Sequence, residues 1–161
     1  MKDSMDDFAH KLQEKVFMEV KEEWGEEIFR RWKNPLFQGT INDPDGHACL
    51  KGKCGDTMEI FLKFEEERVK QASYMTDGCG SSNLCGSFAA ELSLGKTPDE
   101  LLEVTGETII EKLGRIPSVE EHCAYLAAET LQEALNDFMI KQAMRKKCSI
   151  LLELNDLDEG G

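Results

Sequence analysis

Apolar residues recur every fourth position near the beginning of the chain, at Phe8, Leu12, Val16 and Val20. This spacing is typical of one face of an amphipathic helix. Trp24 continues the series immediately before Gly25, and Ile28 and Trp32 continue it beyond Gly25. The pattern predicts a helical segment from about Asp6 to Lys33 that is interrupted near Gly25.

The spacing of apolar residues changes in the next part of the chain. Alternating apolar positions predict a strand, and they are Met58, Ile60, Leu62 and Phe64. The charged residues 65–68 suit a turn, and Val69 to Met75 then read as the returning strand. A shorter strand is predicted near Ala48 to Lys51. These segments indicate an antiparallel hairpin that is preceded in the sequence by a shorter third strand.

Helical signals dominate the second half of the chain. Ser81 and Ser82 suit the cap of a helix that carries Leu84, Phe88 and Leu92 as its apolar stripe and ends at Gly95. Thr97 to Glu100 has the spacing of a capping box, and Gly106 suits the end of that short helix. A second short helix extends to Gly114.

Ser118 and Glu121 form another capping-box spacing, which opens a long amphipathic helix. Its apolar face carries Ala124, Ala127, Leu131, Leu135 and Phe138. Strands followed by helices predict an α+β domain in which helices cover one face of a small antiparallel sheet.

The composition limits the class of function. The 161 residues fit one domain, and 32 acidic against 19 basic side chains give a formal charge of −13. This charge disfavours binding to nucleic acid or to an anionic membrane surface. The acidic first ten residues do not resemble a signal peptide, and the chain has no apolar run of roughly 20 residues. We therefore expect a cytoplasmic protein.

Six cysteines in a reducing compartment favour metal binding or thiol chemistry over disulfides. Cys54 precedes a predicted strand, Cys79 follows one between two glycines, and Cys123 opens a predicted helix. An antiparallel pairing brings Cys54 and Cys79 to the same end of the hairpin. The glycines beside Cys79 allow the backbone to approach another group closely.

Two further side chains complete a candidate metal site. Asp56 lies two positions after Cys54, which is the same side of the chain in an extended segment, and His122 is adjacent to Cys123. Three soft ligands and one harder ligand suit Zn(II), Fe(II) or an iron–sulfur cluster. A thiol protease dyad of His122 and Cys123 is disfavoured, since adjacent helical residues point about 100° apart.

Four segments now occur in an order that resembles one family: KCGDTMEIFLKF, TDGCGSS, ELSLGKTPDELLEV and EEHCAYLAAETLQEAL. The chain resembles the IscU and NifU N-terminal family of iron–sulfur cluster scaffolds from about Trp32 to Phe138. Only 44 positions separate Cys79 from Cys123. This spacing, together with His122, resembles the Isc and Nif types more than the Suf type.

The resemblance implies a three-stranded antiparallel sheet with helices packed on one face. The apolar pattern before it predicts an N-terminal helical extension, which lies outside the family pattern. We expect the extension at residues 1–31, the scaffold domain at 32–148 and a flexible acidic tail at 149–161. The implied function is that of a scaffold and not of a classical enzyme. Such a scaffold accepts sulfur, binds Fe(II), builds a transient cluster, most simply 2Fe-2S, and transfers it to apo-proteins.

The resemblance also implies a role for each candidate residue. The cluster ligands are Cys54, Cys79 and Cys123, Asp56 is the acidic residue beside the cluster, and His122 is an alternative fourth ligand. Cys123 resembles the persulfide acceptor, a role that requires an exposed, nucleophilic thiolate, so we expect Cys123 to be exposed. Lys96 resembles a family lysine near the site, and we expect it to pair with Asp56 when no metal is bound.

The implied partners are a cysteine desulfurase, an electron-donating ferredoxin and apo-proteins that receive the cluster. Docking of an Hsp70-type chaperone is disfavoured, because the family's Leu-Pro-Pro-Val-Lys segment is replaced by Ile116 to Glu120, with one proline lost and one charge reversed. A structural zinc protein and a cluster-free sulfur carrier remain alternatives that use the same cysteines. Cys49, Cys85 and Cys148 lie outside the family pattern and are interpreted as packing residues.

Overall fold

A computed structural model describes residues 2–78, 80–114 and 121–159 of the chain. The helices are α1 (Lys2–Trp24), α2 (Glu26–Lys33), α3 (Gly80–Ser93), α4 (Pro98–Leu101), α5 (Gly106–Leu113) and α6 (Glu121–Glu159). The strands are β1 (Gly46–Lys51), β2 (Thr57–Glu65) and β3 (Arg68–Thr76). The predicted α+β fold is therefore confirmed, with the N-terminal helices preceding the sheet.

The three strands form one antiparallel sheet in the order β1-β2-β3. Alternation in β2 places Met58, Ile60 and Leu62 fully inside the core, as predicted. The connection between β2 and β3 is shorter than expected. It consists of Glu66 and Glu67, both with positive φ, which is the backbone geometry of a tight hairpin turn.

Helices α3 and α6 cover the inner face of the sheet. Tyr74 of β3 is fully buried against α3, and its hydroxyl donates to Asn83 Oδ1 at 3.1 Å. Burial raises the pKa of Tyr74 to about 12, because the phenolate would lose its hydration. Phe64 of β2 stacks on Phe138 of α6, with ring centroids 3.8 Å apart.

The strand β1 approaches α6 very closely. A Cβ atom added to Gly46 would overlap the backbone carbonyl oxygen of Ala134 and press on Phe138. In the same contact, the backbone N–H of His47 donates to Asp137 Oδ2 at 3.0 Å. Only glycine therefore fits at this point, and the position of α6 on the sheet is fixed there.

The N-terminal helices attach through aromatic contacts. The predicted break at Gly25 is confirmed, with φ at +85° between α1 and α2. Phe17 of α1 makes edge contacts with Phe29 and Trp32 of α2 at 5.9 and 5.4 Å between ring centroids. Trp32 in turn lies directly against Gly80, where no side chain would fit.

Three sequence predictions about helix ends require correction. Ser81 and Ser82 lie inside α3, not before it, and both are buried. Gly106 begins α5 and does not end α4, because its missing side chain makes room for the ring of Tyr125. The predicted capping box at Ser118 falls outside the described residues.

The third correction concerns the predicted flexible tail at 149–161. Helix α6 continues through it to Glu159 and is 39 residues long, about 58 Å at 1.5 Å per residue. The reason is local, since residues 121–159 contain neither proline nor glycine. Among the described helices, α6 included, none combines the length and apolar character required to cross a membrane.

The contact at Gly46 generates the first prediction. Gly46→Ala should lower the free energy of unfolding by about 1–3 kcal/mol, because β1 or α6 must shift to relieve the overlap. Urea denaturation followed by circular dichroism measures the change. Cys49→Ala on the exposed face of β1 is the matched control and should change stability by less than about 0.5 kcal/mol. Equal stability of the Gly46→Ala protein and the parent would contradict the close approach.

Candidate functional site

The loop between β1 and β2 presents Cys54. Its ends are tied by a hydrogen bond from Gly52 N to Asp56 O at 2.8 Å, and Gly55 has φ at +91°. Cys54 is exposed in this loop. The segment from Cys54 to Asp56 is a turn, so the prediction that it is extended is wrong. The positive φ of Gly55 is the physical reason, since it reverses the chain between the two side chains.

The open ends of β2 and β3 meet beside this loop. Thr57 N donates to Asp77 Oδ1 at 2.6 Å, and Thr76 Oγ1 donates to the Thr57 carbonyl at 2.7 Å. A Cβ atom on Gly78 would lie 2.7 Å from Asp56 Oδ2. Cys79 itself lies outside the described residues. Its flanking glycines lie close to side chains of the chain itself, Asp56 for Gly78 and Trp32 for Gly80.

Ser82 connects Asp56 to Cys123. Its hydroxyl is fully buried in the first turns of α3, 3.1 Å from Asp56 Oδ2 and 3.4 Å from Cys123 Sγ. The structure thus brings two predicted site residues together through a third that sequence reasoning missed. A signal was present, because Ser82, Gly86 and Ala90 form a stripe of small residues at four-residue spacing on α3.

His122 and Cys123 occupy the first turn of α6. Cys123 Sγ lies 3.5 Å from His122 Nε2, although the two residues are adjacent in the helix. The imidazole is long enough to return across the roughly 100° between the two side-chain directions. His122 is exposed whereas Cys123 is 0% exposed.

This burial corrects the expectation that Cys123 is an exposed thiol. Cys123 belongs to the buried stripe of α6 that continues with Ala127 and Leu131, both fully buried. The helical spacing therefore directs its side chain into the core. The exposed thiol of the site in the described part of the chain is that of Cys54.

A small cavity joins the Cys54 loop to the beginning of α6. Its volume is about 230 Å³, and it is lined by Gly52, Lys53, His122, Tyr125, Leu126 and Glu129. Leu126 and Cys54 Sγ both lie within 3.5 Å of the position that a Gly52 side chain would take. Cys54 therefore approaches α6 within one turn of Cys123.

Lys96 lies away from this site, and the structure corrects the expected pairing of Lys96 with Asp56. Helix α3 begins at Gly80 beside Asp56 and runs for 14 residues, about 21 Å, before Lys96. At its far end the Lys96 carbonyl accepts a hydrogen bond from Val69 N, next to the β2–β3 turn. A lysine side chain cannot span that separation.

The cysteines outside the family pattern are dispersed. Cys85 is fully buried in the core, which fits the packing interpretation. Cys49 and Cys148 are exposed. Partial burial raises the pKa of the Cys49 thiol, and the negative charges of Glu59 and Asp77 raise it further. Cys49 is therefore a poorer nucleophile at neutral pH than an unperturbed thiol.

The converging groups suit a soft metal or cluster by their chemistry. They are the two thiols of Cys54 and Cys123, the carboxylate of Asp56 and the imidazole of His122. Within the described ranges, which omit Cys79, no three such side chains are already arranged around a common metal position.

The family model for the NifU-like N-terminal domain matches residues 23–145. The chain is 32% identical over 141 residues to "Iron-sulfur cluster assembly scaffold protein IscU 1" of Archaeoglobus fulgidus, covering 85% of this chain and 92% of that protein. It is 30% identical to "Iron-sulfur cluster assembly scaffold protein IscU" of Aquifex aeolicus, with coverage of 85% and 89%.

A similar fold occurs among solved structures. The N-terminal NifU-like protein of Brucella abortus matches with a TM-score of 0.59 at 18% identity, covering 76% of this chain and 98% of that chain. At this level of identity the likeness concerns the fold.

The contact between Ser82 and Asp56 generates the second prediction. Each single change, Ser82→Ala or Asp56→Ala, should lower the free energy of unfolding by about 1–2 kcal/mol, because a buried or half-buried polar group loses its partner. The double variant should fall short of the sum by at least about 0.5 kcal/mol, because the two groups interact. Urea denaturation of the four proteins in this cycle measures the coupling.

Asp77→Ala paired with Ser82→Ala is the matched control cycle. Asp77 is also a carboxylate at the strand ends, but its hydrogen bond goes to Thr57 N. The effects of the two control changes on the free energy of unfolding should be additive. Additivity in the Asp56 cycle as well would show that Ser82 does not bridge Asp56.

Proposed function

The chain belongs to the family of NifU-like N-terminal domains, and from this premise we propose that it is a scaffold on which iron–sulfur clusters are assembled. The cluster is then the cargo and not a resident cofactor. The observation that carries the proposal is the Ser82 bridge, which joins Asp56 to Cys123 beside the two glycines that flank Cys79. The relatives from Archaeoglobus fulgidus and Aquifex aeolicus are both named as iron–sulfur cluster assembly scaffolds, which supports the same function.

In this proposal Cys54, Cys79 and Cys123 are the thiolate ligands of a 2Fe-2S cluster. Thiolates are the usual ligands of iron in such clusters. Asp56 supplies an oxygen ligand, and His122 is the alternative fourth ligand when Asp56 turns away. A hard oxygen among soft thiolates leaves one position of the iron weakly held, and this favours release of the cargo.

Cys123 is proposed to accept sulfur from a cysteine desulfurase. Its thiolate attacks the outer sulfur of the donor's persulfide, a new S–S bond forms on Cys123, and the donor's own cysteine leaves as a thiolate. This exchange is neutral in electrons. Because Cys123 is 0% exposed, the donor reaches it only after the groups that cover it have moved. We infer that sulfur acceptance is coupled to this movement.

Iron and electrons complete the assembly. Fe(II) is the iron source, and its oxidation to Fe(III) supplies part of the electrons that reduce sulfane sulfur to sulfide. An electron-donating ferredoxin supplies the remainder, and apo-proteins receive the finished cluster. Residues 116–120, at which docking of an Hsp70-type chaperone is disfavoured, lie outside the described part of the chain, and that expectation stays a prediction.

A structural zinc site is the second candidate, and the burial of Cys123 is the observation that favours it. Structural zinc sites are closed, and thiolates bind Zn(II) strongly. A cluster-free sulfur carrier is a third use of the same cysteines. Zinc in the isolated protein does not separate these functions, whereas sulfur and iron incorporation does.

Anaerobic reconstitution with Fe(II), cysteine and a cysteine desulfurase provides the third prediction. The parent protein should develop visible iron–sulfur absorption and then activate an apo-ferredoxin. Cys123→Ser should reduce both signals to background, because the proposed sulfur acceptor is lost. Cys148→Ser is the matched control, since Cys148 is exposed near the other end of α6, and it should behave as the parent.

Mass spectrometry after incubation with the desulfurase and cysteine, without Fe(II), distinguishes the alternatives. The proposal expects the first persulfide on Cys123. Persulfide without later iron incorporation would favour the sulfur carrier, and a folded protein that takes neither sulfur nor iron but retains zinc would favour the structural site. First labelling of Cys54 would remove Cys123 from its proposed role.

The fourth prediction concerns release of the cargo. Asp56→Ala should still accept sulfur, but it should transfer its cluster roughly tenfold more slowly, because His122 or an external thiol then binds the vacant iron position more firmly. The measurement is the rate of holo-ferredoxin formation from proteins loaded to equal iron content. Asp77→Ala, whose carboxylate contacts Thr57 N, is the control and should transfer at the parental rate. Equal rates for Asp56→Ala and the parent would exclude Asp56 from release.

A further inference from the structure

The C-terminal part of α6 extends beyond the core. Phe138 is the last buried residue of the helix, and every residue from Ala143 to Asp158 is exposed. These 16 residues correspond to about 24 Å of helix at 1.5 Å per residue. A helix of this length has little stability in water unless its apolar face is covered.

The exposed segment carries an apolar band along one side. At about 100° per residue, six large apolar residues fall within roughly 140° of the helix circumference. They are Ile140, Met144, Ile150, Leu151, Leu154 and Leu157, each between 51% and 75% exposed. Leu152 is also exposed, at 66%, but it lies almost opposite the centre of the band.

Charges divide the same segment into two blocks. The first block is basic and contains Lys141, Arg145, Lys146 and Lys147. The second block is acidic and contains Glu153, Asp156 and Asp158. A parallel pair of these helices would place like charges side by side, whereas an antiparallel pair places each basic block beside an acidic block.

We propose that the C-terminal part of α6 pairs antiparallel with the same segment of a second copy of this chain. The two-fold axis passes near Ile150. Lys147 lies within the band of its own helix, and its long side chain extends to the flank of the partner helix, where Glu153 lies. The same surface is used twice, as a closed two-fold interface requires. The apolar bands then cover each other, and Lys146 and Lys147 lie beside the acidic block of the partner. Lys141 and Arg145 instead pair within the chain, with Asp137 at 2.8 Å and Asp45 at 3.9 Å.

The N-terminal helix is a weaker candidate for covering this band. Helix α1 also exposes apolar side chains, among them Phe8 and Leu12. Its acidic and basic residues are interspersed along the helix and do not form two opposite blocks. It therefore lacks the charge pattern that would complement α6.

The full-length protein tests the proposal by sedimentation equilibrium over a concentration series. The parent should form a dimer that dissociates on dilution. Leu151→Glu combined with Leu154→Glu should abolish the dimer, because the charged side chains enter the paired band. Leu152→Glu is the matched control, equally apolar and exposed but on the other side of α6, and it should remain dimeric.

Charge reversal tests the antiparallel direction. Lys147→Glu should raise the dimer dissociation constant about tenfold, and addition of Glu153→Lys in the same chain should restore it, because the side chain at 147 reaches the partner's residue 153 across the axis. Failure of this rescue would exclude the antiparallel register. A parent that is monomeric at every concentration would overturn the proposal, as would a dimer that survives the Leu151 and Leu154 changes.

The dimer could instead be lost in a variant that combines Phe8→Glu with Leu12→Glu and leaves α6 unaltered. This result would assign the interface to α1 and overturn the proposal. Circular dichroism of each variant verifies that the helices are retained. The altered residues lie far along α6 from Cys123, so cluster reconstitution should be unchanged in the monomeric variant. Failure of the dimer and failure of the scaffold function are therefore distinguishable.

Discussion

The contact between α6 and the first strand is the constraint on which the rest of the structure depends. At Gly46 the backbones of β1 and α6 meet without an intervening side chain, and the His47 N–H bond to Asp137 fixes the helix along its length. Because a helix is rigid over a few turns, this contact also fixes where its first turn lies. Cys123 consequently faces the ends of β2 and β3.

The site is therefore assembled from elements that meet at one end of the sheet. The β1–β2 loop brings Cys54 and Asp56, the end of β3 brings Gly78, and the first turn of α3 brings Ser82 between Asp56 and Cys123. Each of these elements is held at that end of the sheet by its own packing contacts. The aromatic contacts of α1 and α2 reach the same end through Trp32, which lies against Gly80.

Sequence alone predicted the elements whose patterns are periodic. The alternation in β2, the break at Gly25 and the amphipathic face of α6 follow from local residue spacing, and the meeting of the strand ends follows from antiparallel pairing. Other features depend on tertiary contacts. The role of Gly106 depends on the ring of Tyr125, and the distance of Lys96 from Asp56 depends on the direction of α3.

For the site as well, the sequence predicted which residues take part but not the features that depend on tertiary contacts. Residue types and order indicated Cys54, Asp56, His122 and Cys123, and the structure gathers them in one region. Ser82 was missed because a serine at the beginning of a helix is most often a cap. The burial of Cys123 was also missed, because one residue's exposure depends on how the whole helix is rotated against the sheet.

The burial of Cys123 has a consequence for the survival of the protein under oxidative conditions. Oxidation of a cysteine to sulfenic and higher acids requires a thiolate that peroxide can reach. A thiol with no exposed surface is shielded from this oxidation, whereas the exposed Cys54 is not. The fold thus keeps one sulfur atom of its site in a protected form, and of the two site thiols that the structure describes, that of Cys54 should be oxidised first.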